Sequence, residues 1–278
     1  MRPHFNMDGT MRGSRAGPAA RDAAVAGLFY PGDPQALSDQ LESLLLEAHL
    51  PTRWPKALIV PHAGYVYSGP VAAQAYASLG AGALALRRVV LLGPSHRECF
   101  RGIALPQAQA FATPLGMVPI DTEAAGKLRD LSAVLVSDVP HLREHSLEVQ
   151  LPFLQRLAPE AKIVPVLAGE AGPAEVAEVI DALWGGAETL IVCSSDLSHY
   201  HAYRTAQALD AATAHAILEG REDLTGDQAC GYRVVNGLSR VMRERGLQAE
   251  LLDLRNSGDT AGDQSRVVGY GAFGFYDA

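Results

Sequence analysis

The chain has 278 residues, of which 48% are hydrophobic and 19% are charged. This length accommodates one large domain or two small ones, and the balance of apolar and charged residues is that of a folded chain rather than a disordered one. Acidic residues outnumber basic ones by 31 to 23, which gives a net charge of −8. Because no dense run of Lys and Arg occurs either, nucleic acid and anionic membrane surfaces are poor candidates for partners.

The cysteine content and the hydropathy pattern indicate the compartment. No apolar stretch approaches the roughly 18 residues of a membrane-spanning helix, and no charged start leads into an apolar signal core. The cysteines Cys99, Cys193 and Cys230 are odd in number and far apart, which does not fit a disulfide framework. We therefore expect a soluble, cytoplasmic protein with reduced cysteines.

The N-terminal segment differs in composition from the remainder of the chain. Residues 1–21 are rich in glycine, proline and arginine and have no apolar period, so we expect a flexible extension preceding a single domain over 22–278. Asp33 and Pro34 then fit the N-cap and first turn of a helix, and leucines recur after them at helical spacing.

Beyond this first helix, short apolar runs alternate with amphipathic segments. The runs predict strands at 57–61, 88–93, 133–137, 161–168, 189–194, 249–254 and 267–276. The amphipathic segments predict helices at 69–79, 122–130, 144–157, 173–184, 203–219 and 232–245. Residues 102–120 interrupt this rhythm and predict a hairpin. Because several runs are apolar on both faces, the fold expected is a three-layer α/β/α sandwich with a mixed, largely parallel central sheet.

Polar groups come after three of the predicted strands. His62, His96, Asp196 and His199 each lie within a few residues of a strand's carboxyl end. In open α/β sheets the crevice outside these ends binds ligands, so the four groups are expected to converge there. Any one of the histidines, taken alone, also fits a strand-end imidazole bonded to a backbone carbonyl.

Tyrosines and a cysteine adjoin this expected crevice. Tyr65 and Tyr67 lie on the loop after His62, ahead of an expected N-cap at Ser68, and either packs in the core or lines the cleft. Cys230 precedes the helix expected from Tyr232, where a helix N-terminus lowers a thiol pKa and favours metal ligation. A lone cysteine is otherwise a small buried hydrophobe, the role expected for Cys193.

Two short motifs suggest other chemistries. His141, Glu144 and His145 match the H-x-x-E-H pattern of zinc peptidases, but Pro140 places His141 at or before the helix start, where ligand geometry is not assured. We expect Glu144 and His145 to face the cleft instead. Ser95 opens a segment like a nucleophile elbow that lacks its closing glycine, so we expect it to line the pocket only.

Several ordered motifs together resemble the Memo-like family. They are Gly27-Leu28-Phe29-Tyr30-Pro31, Pro61-His62-Ala63-Gly64-Tyr65-Val66-Tyr67-Ser68-Gly69, Gly93-Pro94-Ser95-His96, Thr113-Pro114-Leu115-Gly116, Glu144-His145-Ser146-Leu147-Glu148-Val149-Gln150-Leu151-Pro152-Phe153, Ser195-Asp196-Leu197-Ser198-His199-Tyr200, Asn256-Ser257-Gly258-Asp259 and Val268-Gly269-Tyr270. The resemblance covers about residues 22–276. It implies a fold related to the class III extradiol ring-opening dioxygenases, and an AMMECR-type protein and a radical SAM protein as partners.

The resemblance also implies a metal site. His62, His96 and Cys230 are the expected ligands, with Asp196 and His199 beside them as catalytic groups. The related dioxygenases bind Fe(II) through two histidines and a glutamate. Because a softer thiolate stands here in place of the glutamate, Cu(I) or zinc becomes competitive with iron, so we expect Fe(II) or copper, with zinc as an alternative. Asp196 remains an alternate ligand.

Two classes of function remain open at this point. The first is a mononuclear non-haem metal protein with redox or oxygenase activity on a small aromatic ligand. The second is a non-catalytic module that binds a peptide or partner in the same pocket, as the resemblance to eukaryotic signalling adaptors implies.

Overall fold

The computed structural model describes residues 20–49 and 53–277. Its strands are β1 (Ala20–Arg21), β2 (Ala57–Val60), β3 (Arg88–Pro94), β4 (Ile103–Leu105), β5 (Ala110–Thr113), β6 (Gly116–Pro119), β7 (Val134–Val136), β8 (Lys162–Ala168), β9 (Thr189–Ser194), β10 (His199–His201), β11 (Gln248–Asn256) and β12 (Val267–Tyr276). Its α-helices are α1 (Pro34–Leu46), α2 (Tyr65–Ala77), α3 (Thr122–Gly126), α4 (Leu151–Leu157), α5 (Pro173–Ala182), α6 (Tyr203–Leu218), α7 (Tyr232–Arg245) and α8 (Ser257–Thr260).

The main sheet has the strand order β10-β12-β2-β9-β3-β8-β4-β7, with β11 also paired to β12. Its centre is parallel, because β2, β9, β3 and β8 run in the same direction. The β12 strand is antiparallel to β2, and β4 is antiparallel to β8. The predicted mixed sheet is confirmed, and its largest parallel part is the central block of four strands.

Alternate residues of the central strands face two separate cores. Leu58 and Val89 pack with helices α1, α2 and α4 on one face, whereas Ile59 and Val90 pack with α3, α5, α6 and α7 on the other. Successive side chains of a strand point to opposite faces, so a strand covered on both sides must be apolar at every position. The three-layer α/β/α sandwich results from this pattern.

Three helix boundaries differ clearly from the sequence prediction. Helix α3 ends at Gly126 rather than at 130. Helix α2 begins at Tyr65 rather than at 69, because Ser68 does not cap it: its hydroxyl donates back to Ala63 O at 2.8 Å, and its N–H reaches Gly64 O at 3.0 Å. The segment expected as one helix over 144–157 is helical only from a short 3₁₀ turn at Glu148–Gln150 onward.

The N-terminal boundary also differs. Residues 1–19 of the expected extension lie outside the described residues, but Ala20 and Arg21 belong to the fold, since β1 pairs in parallel with β5. The Arg21 side chain is buried and forms an ion pair with the buried Glu148.

The predicted hairpin is present as β5 and β6, which with β1 form a small second sheet. Over the described residues, no helix combines the length and apolar character needed to cross a bilayer.

Candidate metal centre

Three neighbouring strands end at one place and carry polar groups just beyond their ends. The strands β2, β9 and β3 are adjacent and parallel, so their carboxyl ends share one edge of the sheet. His62 lies two residues beyond β2, His96 two residues beyond β3 and Asp196 two residues beyond β9, which lies between the other two. The expected convergence at the strand ends is therefore present.

The loop before α7 brings Cys230 to the same edge. Cys230 N–H donates to Asp196 O at 3.2 Å, and Gly231 N–H donates to Ser195 Oγ at 2.9 Å. A Cβ at position 231 would lie 2.6 Å from Ser194 O, so only glycine permits this approach of the loop to β9. As a result, the Cys230 Sγ lies 3.2 Å from His62 Nε2.

The hydrogen bonds of Ser194 fix the tautomer of His62. Ser194 has one hydroxyl proton, which it donates to Ser146 O at 2.6 Å. The same oxygen lies 2.8 Å from His62 Nδ1, so it accepts there, and it also accepts from Gln150 Nε2 at 2.8 Å. His62 therefore carries its proton on Nδ1, and the lone pair of Nε2 points toward Cys230.

A buried carboxylate orients the second imidazole in the same way. Glu144 Oε1 lies 2.9 Å from His96 Nδ1, and Glu144 Oε2 accepts the backbone N–H of His96 at 2.5 Å. Burial by itself raises the pKa of Glu144, but the hydrogen bond and charge of His96 and the N–H of Ser146 outweigh it and hold the pKa well below its usual range. Because the ionised carboxylate can only accept, His96 carries a proton on Nδ1, and in the neutral imidazole Nε2 is then the nitrogen with the free lone pair.

The three groups fit the donor set of a metal ion. The ligand atoms of His62, His96 and Cys230 all lie within 4.8 Å of one another. Tetrahedral bonds of ~2.1 Å to nitrogen and ~2.3 Å to sulfur separate these two ligand atoms by about 3.6 Å. The observed separation of 3.2 Å between His62 Nε2 and Cys230 Sγ needs only a small opening, and both imidazoles already have their other nitrogen bonded.

The thiol pKa differs in direction from the sequence expectation. A helix N-terminus was expected to lower it, but burial and the neighbouring Asp196 carboxylate raise the pKa of Cys230. Three groups oppose this rise: the Asp196 N–H, which lies 3.3 Å from Sγ, the Ser195 hydroxyl and the Gly231 N–H. Cys230 is therefore a thiol until a cation displaces its proton.

Asp196 and His199 adjoin Cys230 as well. Their ligand atoms and the Cys230 sulfur form a second group within 4.8 Å. Asp196 Oδ1 accepts the backbone N–H of His62 at 2.7 Å, and burial raises the pKa of this carboxyl. The carboxylate thus holds the loop that carries His62.

An open cavity of about 890 Å³ adjoins these groups, a size typical of small-molecule sites. The expected residues His62, Tyr67, His96, His145, Asp196, His199 and Cys230 all line it. The His145 ring stacks on His96 with centroids 4.8 Å apart, and burial lowers the pKa of His145 to about 4.

Other residues expected in the cavity wall have different positions. Tyr65 points into the core, where its hydroxyl donates to Val149 O at 2.7 Å. Ser95 lines a separate cavity of about 260 Å³ on the opposite side of Cys230. Glu144 lies behind His96 and His145 and is fully engaged by backbone and ring N–H groups. Its local acceptance of the His145 and Ser146 N–H groups also accounts for the missing first turns of the helix expected from 144.

The H-x-x-E-H motif does not form a metal site among the described residues. His141 is buried on the far side of this segment, where its Nε2 lies 3.2 Å from Ala104 O. It belongs to none of the candidate ligand groups there, and Glu144 is bound to His96 instead. The peptidase interpretation is therefore not supported.

Sequence reasoning missed several residues of the site. Ser194 and Gln150 were not predicted as site residues, although Gln150 lies in a motif of the family resemblance, because each is a polar residue inside an apolar segment, a pattern that gives no indication of its partner. Phe29, Arg97, Tyr200 and Arg266 line the cavity but lie far apart in the chain. Phe29 and Tyr200 lie in motifs of the family resemblance and Arg97 directly follows His96, so of these four residues Arg266 alone carried no signal in the sequence.

The fold and the site define a class: an α/β/α sandwich protein with a candidate two-histidine, one-cysteine metal group at the carboxyl ends of its central strands. A family model described as "Memo-like protein" matches residues 21–273. The chain belongs to the Memo family.

Curated relatives agree with this assignment. A MEMO1 family protein of Methanocaldococcus jannaschii is 37% identical, over 90% of this chain and 96% of its own length. MEMO1 family proteins of Nitrosopumilus maritimus and Aquifex aeolicus are 34% and 36% identical, covering 92% and 90% of this chain and 99% and 97% of their own lengths. The similarity thus extends over nearly the full length of each protein.

Proposed function

We propose that this chain is a mononuclear metal protein that carries out redox or oxygenase chemistry on a small ligand in its cavity. The observation that carries the proposal is the approach of His62 Nε2 to Cys230 Sγ at 3.2 Å, beside a His96 whose Nδ1 is held by Glu144. Two imidazole nitrogens and one thiol, whose proton a metal ion can displace, thus meet beside an open cavity.

The donor set fits a first-row transition metal rather than a hard cation such as Mg²⁺ or Ca²⁺. Imidazole nitrogen suits iron, copper and zinc, whereas the soft sulfur of Cys230 favours Cu(I) and zinc over hard cations. Fe(II) and copper are the proposed ions, with zinc as the alternative. Such an ion, when bound, supplies one-electron chemistry and a site at which dioxygen is activated.

The residues around the donors have distinct proposed roles. His199 lines the cavity and is the proposed acid or base that moves the proton of a phenolic hydroxyl. Asp196 holds His62 through its backbone N–H and orients the site. Phe29 contacts His145, with ring centroids 4.8 Å apart, and contributes apolar surface to the cavity wall.

Metal analysis tests the first part of this proposal. Protein purified without a nickel column is analysed by plasma mass spectrometry alongside Cys230→Ser, with Cys99→Ser as the matched control because Cys99 is exposed. We expect near-stoichiometric iron or copper in the wild type and in the control, and less than a tenth of it in Cys230→Ser. A wild type that holds no metal would contradict the proposal and favour the non-catalytic binding module.

Dioxygen uptake tests the second part. Protein loaded anaerobically with Fe(II) is mixed with catechols and phenols, and oxygen consumption is monitored for the wild type and for His199→Gln. We expect uptake with the wild type and a loss of at least tenfold in the variant, since proton transfer contributes a factor of this order or more. Metal-replete protein that is inactive on the whole panel would leave metal binding intact and contradict the oxygenase role.

A further inference from the structure

Tyr200 has a backbone conformation that its side chain does not explain. Its φ is +64°, and it is the one residue other than glycine with a positive φ among the described residues. This left-handed region disfavours a side chain with a Cβ, and such strain persists mostly at functional sites. Yet Tyr200 is 64% exposed, so burial of the ring does not offset the strain.

A β-bulge causes this conformation and turns the side chain toward the cavity. In the pairing of β10 with β12, His199 lies opposite Val268 and His201 lies opposite Val267, so Tyr200 is the extra residue. Neighbouring residues of a regular strand face opposite sides, but here His199, Tyr200 and His201 all line the cavity. The bulge therefore adds an aromatic ring beside His199.

The same pairing places a cation on that ring. Arg266 directly precedes β12, and its guanidinium carbon lies 5.1 Å from the centroid of the Tyr200 ring. A guanidinium stacked on an aromatic face is fixed in orientation while its N–H donors stay available at the edges. Arg266 lines the cavity, as does Arg97.

Neither arginine is neutralised by the protein. Within residues 20–49 and 53–277, neither Arg97 nor Arg266 has a carboxylate within ion-pair distance. Carboxylates do line the cavity, but Asp196 accepts the N–H of His62 and Asp263 accepts the N–H of Ser265. Asp227 is the remaining one. Two guanidiniums therefore keep unused donors at a cavity that is also lined by aromatic rings.

We propose that Tyr200 and Arg266, with Arg97, form an anion-binding element that selects aromatic ligands carrying a carboxylate or phosphoryl group. This deepens the proposed function, because it assigns the charge class of the ligand that the metal cavity receives. The guanidinium edges bind the anionic group, and the rings of Tyr200 and Tyr67, which is 43% exposed, contact the ligand ring.

Binding to metal-free protein tests this element independently of the metal. The probes are 4-hydroxyphenylacetate, phenyl phosphate and the neutral 4-hydroxyphenylacetamide, titrated by calorimetry and by ligand-observed NMR. We expect at least one anion to bind tenfold or more tightly than the amide, and the stronger of the two identifies the anionic group. Equal affinity for the amide and both anions would overturn the proposal, whatever the metal content.

Substitutions locate the element. Arg266→Gln is expected to weaken binding of the preferred anion at least tenfold and to leave the amide unchanged. Arg204→Gln, which removes an exposed arginine that does not line the cavity, should change affinity less than twofold. Equal effects of the two substitutions would overturn the assignment.

Tyr200→Asn separates a ligand role from a structural role. Asparagine tolerates the left-handed region, so the variant should unfold at the same or a higher temperature than the wild type while losing anion affinity at least fivefold. A variant that unfolds at a lower temperature and binds normally would show that the ring supports the fold, and would overturn the proposal.

Discussion

Glu144 binds His96 at two points, with one carboxylate oxygen on the backbone N–H at 2.5 Å and the other on the ring Nδ1 at 2.9 Å. The oxygen on the ring also accepts the N–H groups of His145 and Ser146, each at 2.9 Å. One buried side chain therefore fixes the position, the ring orientation and the tautomer of a proposed ligand. Metal affinity should depend on it although it does not contact the ion.

Glu144→Gln tests this dependence. The amide nitrogen of glutamine is a donor and would face N–H groups that now have an acceptor, so the His96 ring would lose its fixed orientation. Loss of such a supporting partner typically lowers metal affinity by about 10–100-fold, and we expect a decrease in this range in competition with a coloured chelator. Glu98→Gln, on the same loop as His96, is the control, and an equal decrease there would contradict the assignment.

Ser194→Ala tests the hydrogen bonds that fix His62. The substitution leaves the N–H groups of His62 and Gln150 without their shared acceptor, and each unsatisfied buried donor costs about 1–3 kcal/mol. We expect the free energy of unfolding in urea to fall by about 1–3 kcal/mol, because the groups can partly rearrange, and metal affinity to fall with it.

Ser239→Ala is the matched control for that substitution. Ser239 is also fully buried, but its hydroxyl has no hydrogen-bond partner among the described residues. Its removal should leave the free energy of unfolding unchanged or higher. Similar losses in the two variants would mean that the contacts of Ser194 are not what stabilises the site.

The sequence predicted the sheet more accurately than the site. Apolar runs such as 189–194 match their strands because a strand covered on both faces is apolar at nearly every position, so the run begins and ends where the strand does. The helix α2 (Tyr65–Ala77) begins earlier than expected because Ser68, Gly69 and Pro70 imitate a helix start inside a helix. Local patterns of this kind do not reveal which carbonyl a hydroxyl reaches.

The candidate ligands were predicted to different degrees. His62 and His96 were found by the rule that strand ends converge. The position of Cys230 before a helix suggested metal ligation, but its grouping with the two histidines came from the family resemblance, because a loop and not a strand carries it. The bond of Ser194 to His62 spans 132 residues, and the bulge at Tyr200 needs a φ that sequence does not predict for tyrosine. Contacts between distant segments are set by packing and do not appear in local periodicity.

Arg21→Met tests the anchoring of the N-terminal strand. The buried Glu148 pairs with Arg21 and also accepts from Ala24 N–H, Val25 N–H and the Tyr30 hydroxyl. Removing the cation leaves a carboxylate uncompensated in the core, which costs about 3–5 kcal/mol. We expect a decrease of that size in the free energy of unfolding in urea.

The ion pair of Asp181 with Arg245 provides the comparison. Its side chains are 40% and 38% exposed, and its closest distance is 2.7 Å. Exposed pairs contribute about 0–1 kcal/mol, so Asp181→Asn should change stability by less than about 1 kcal/mol. If Arg21→Met has no larger effect than this control, the N-terminal strand is not held by the buried pair.

His141 should make stability depend on pH in the acid range. Burial lowers the pKa of His141 to about 4 from an ordinary value of 6.5, so the unfolded chain takes up a proton before the folded one does. The contribution is full above pH 6.5 and is lost as pH falls toward 4, by up to roughly 3 kcal/mol. His141→Gln, which keeps a donor for Ala104 O, should reduce the slope of unfolding free energy against pH between 6.5 and 4 while leaving stability at pH 7.5 within about 1–2 kcal/mol of the wild type. Urea titrations of both proteins across this range measure the two slopes, and parallel curves would show that His141 is not the group that titrates.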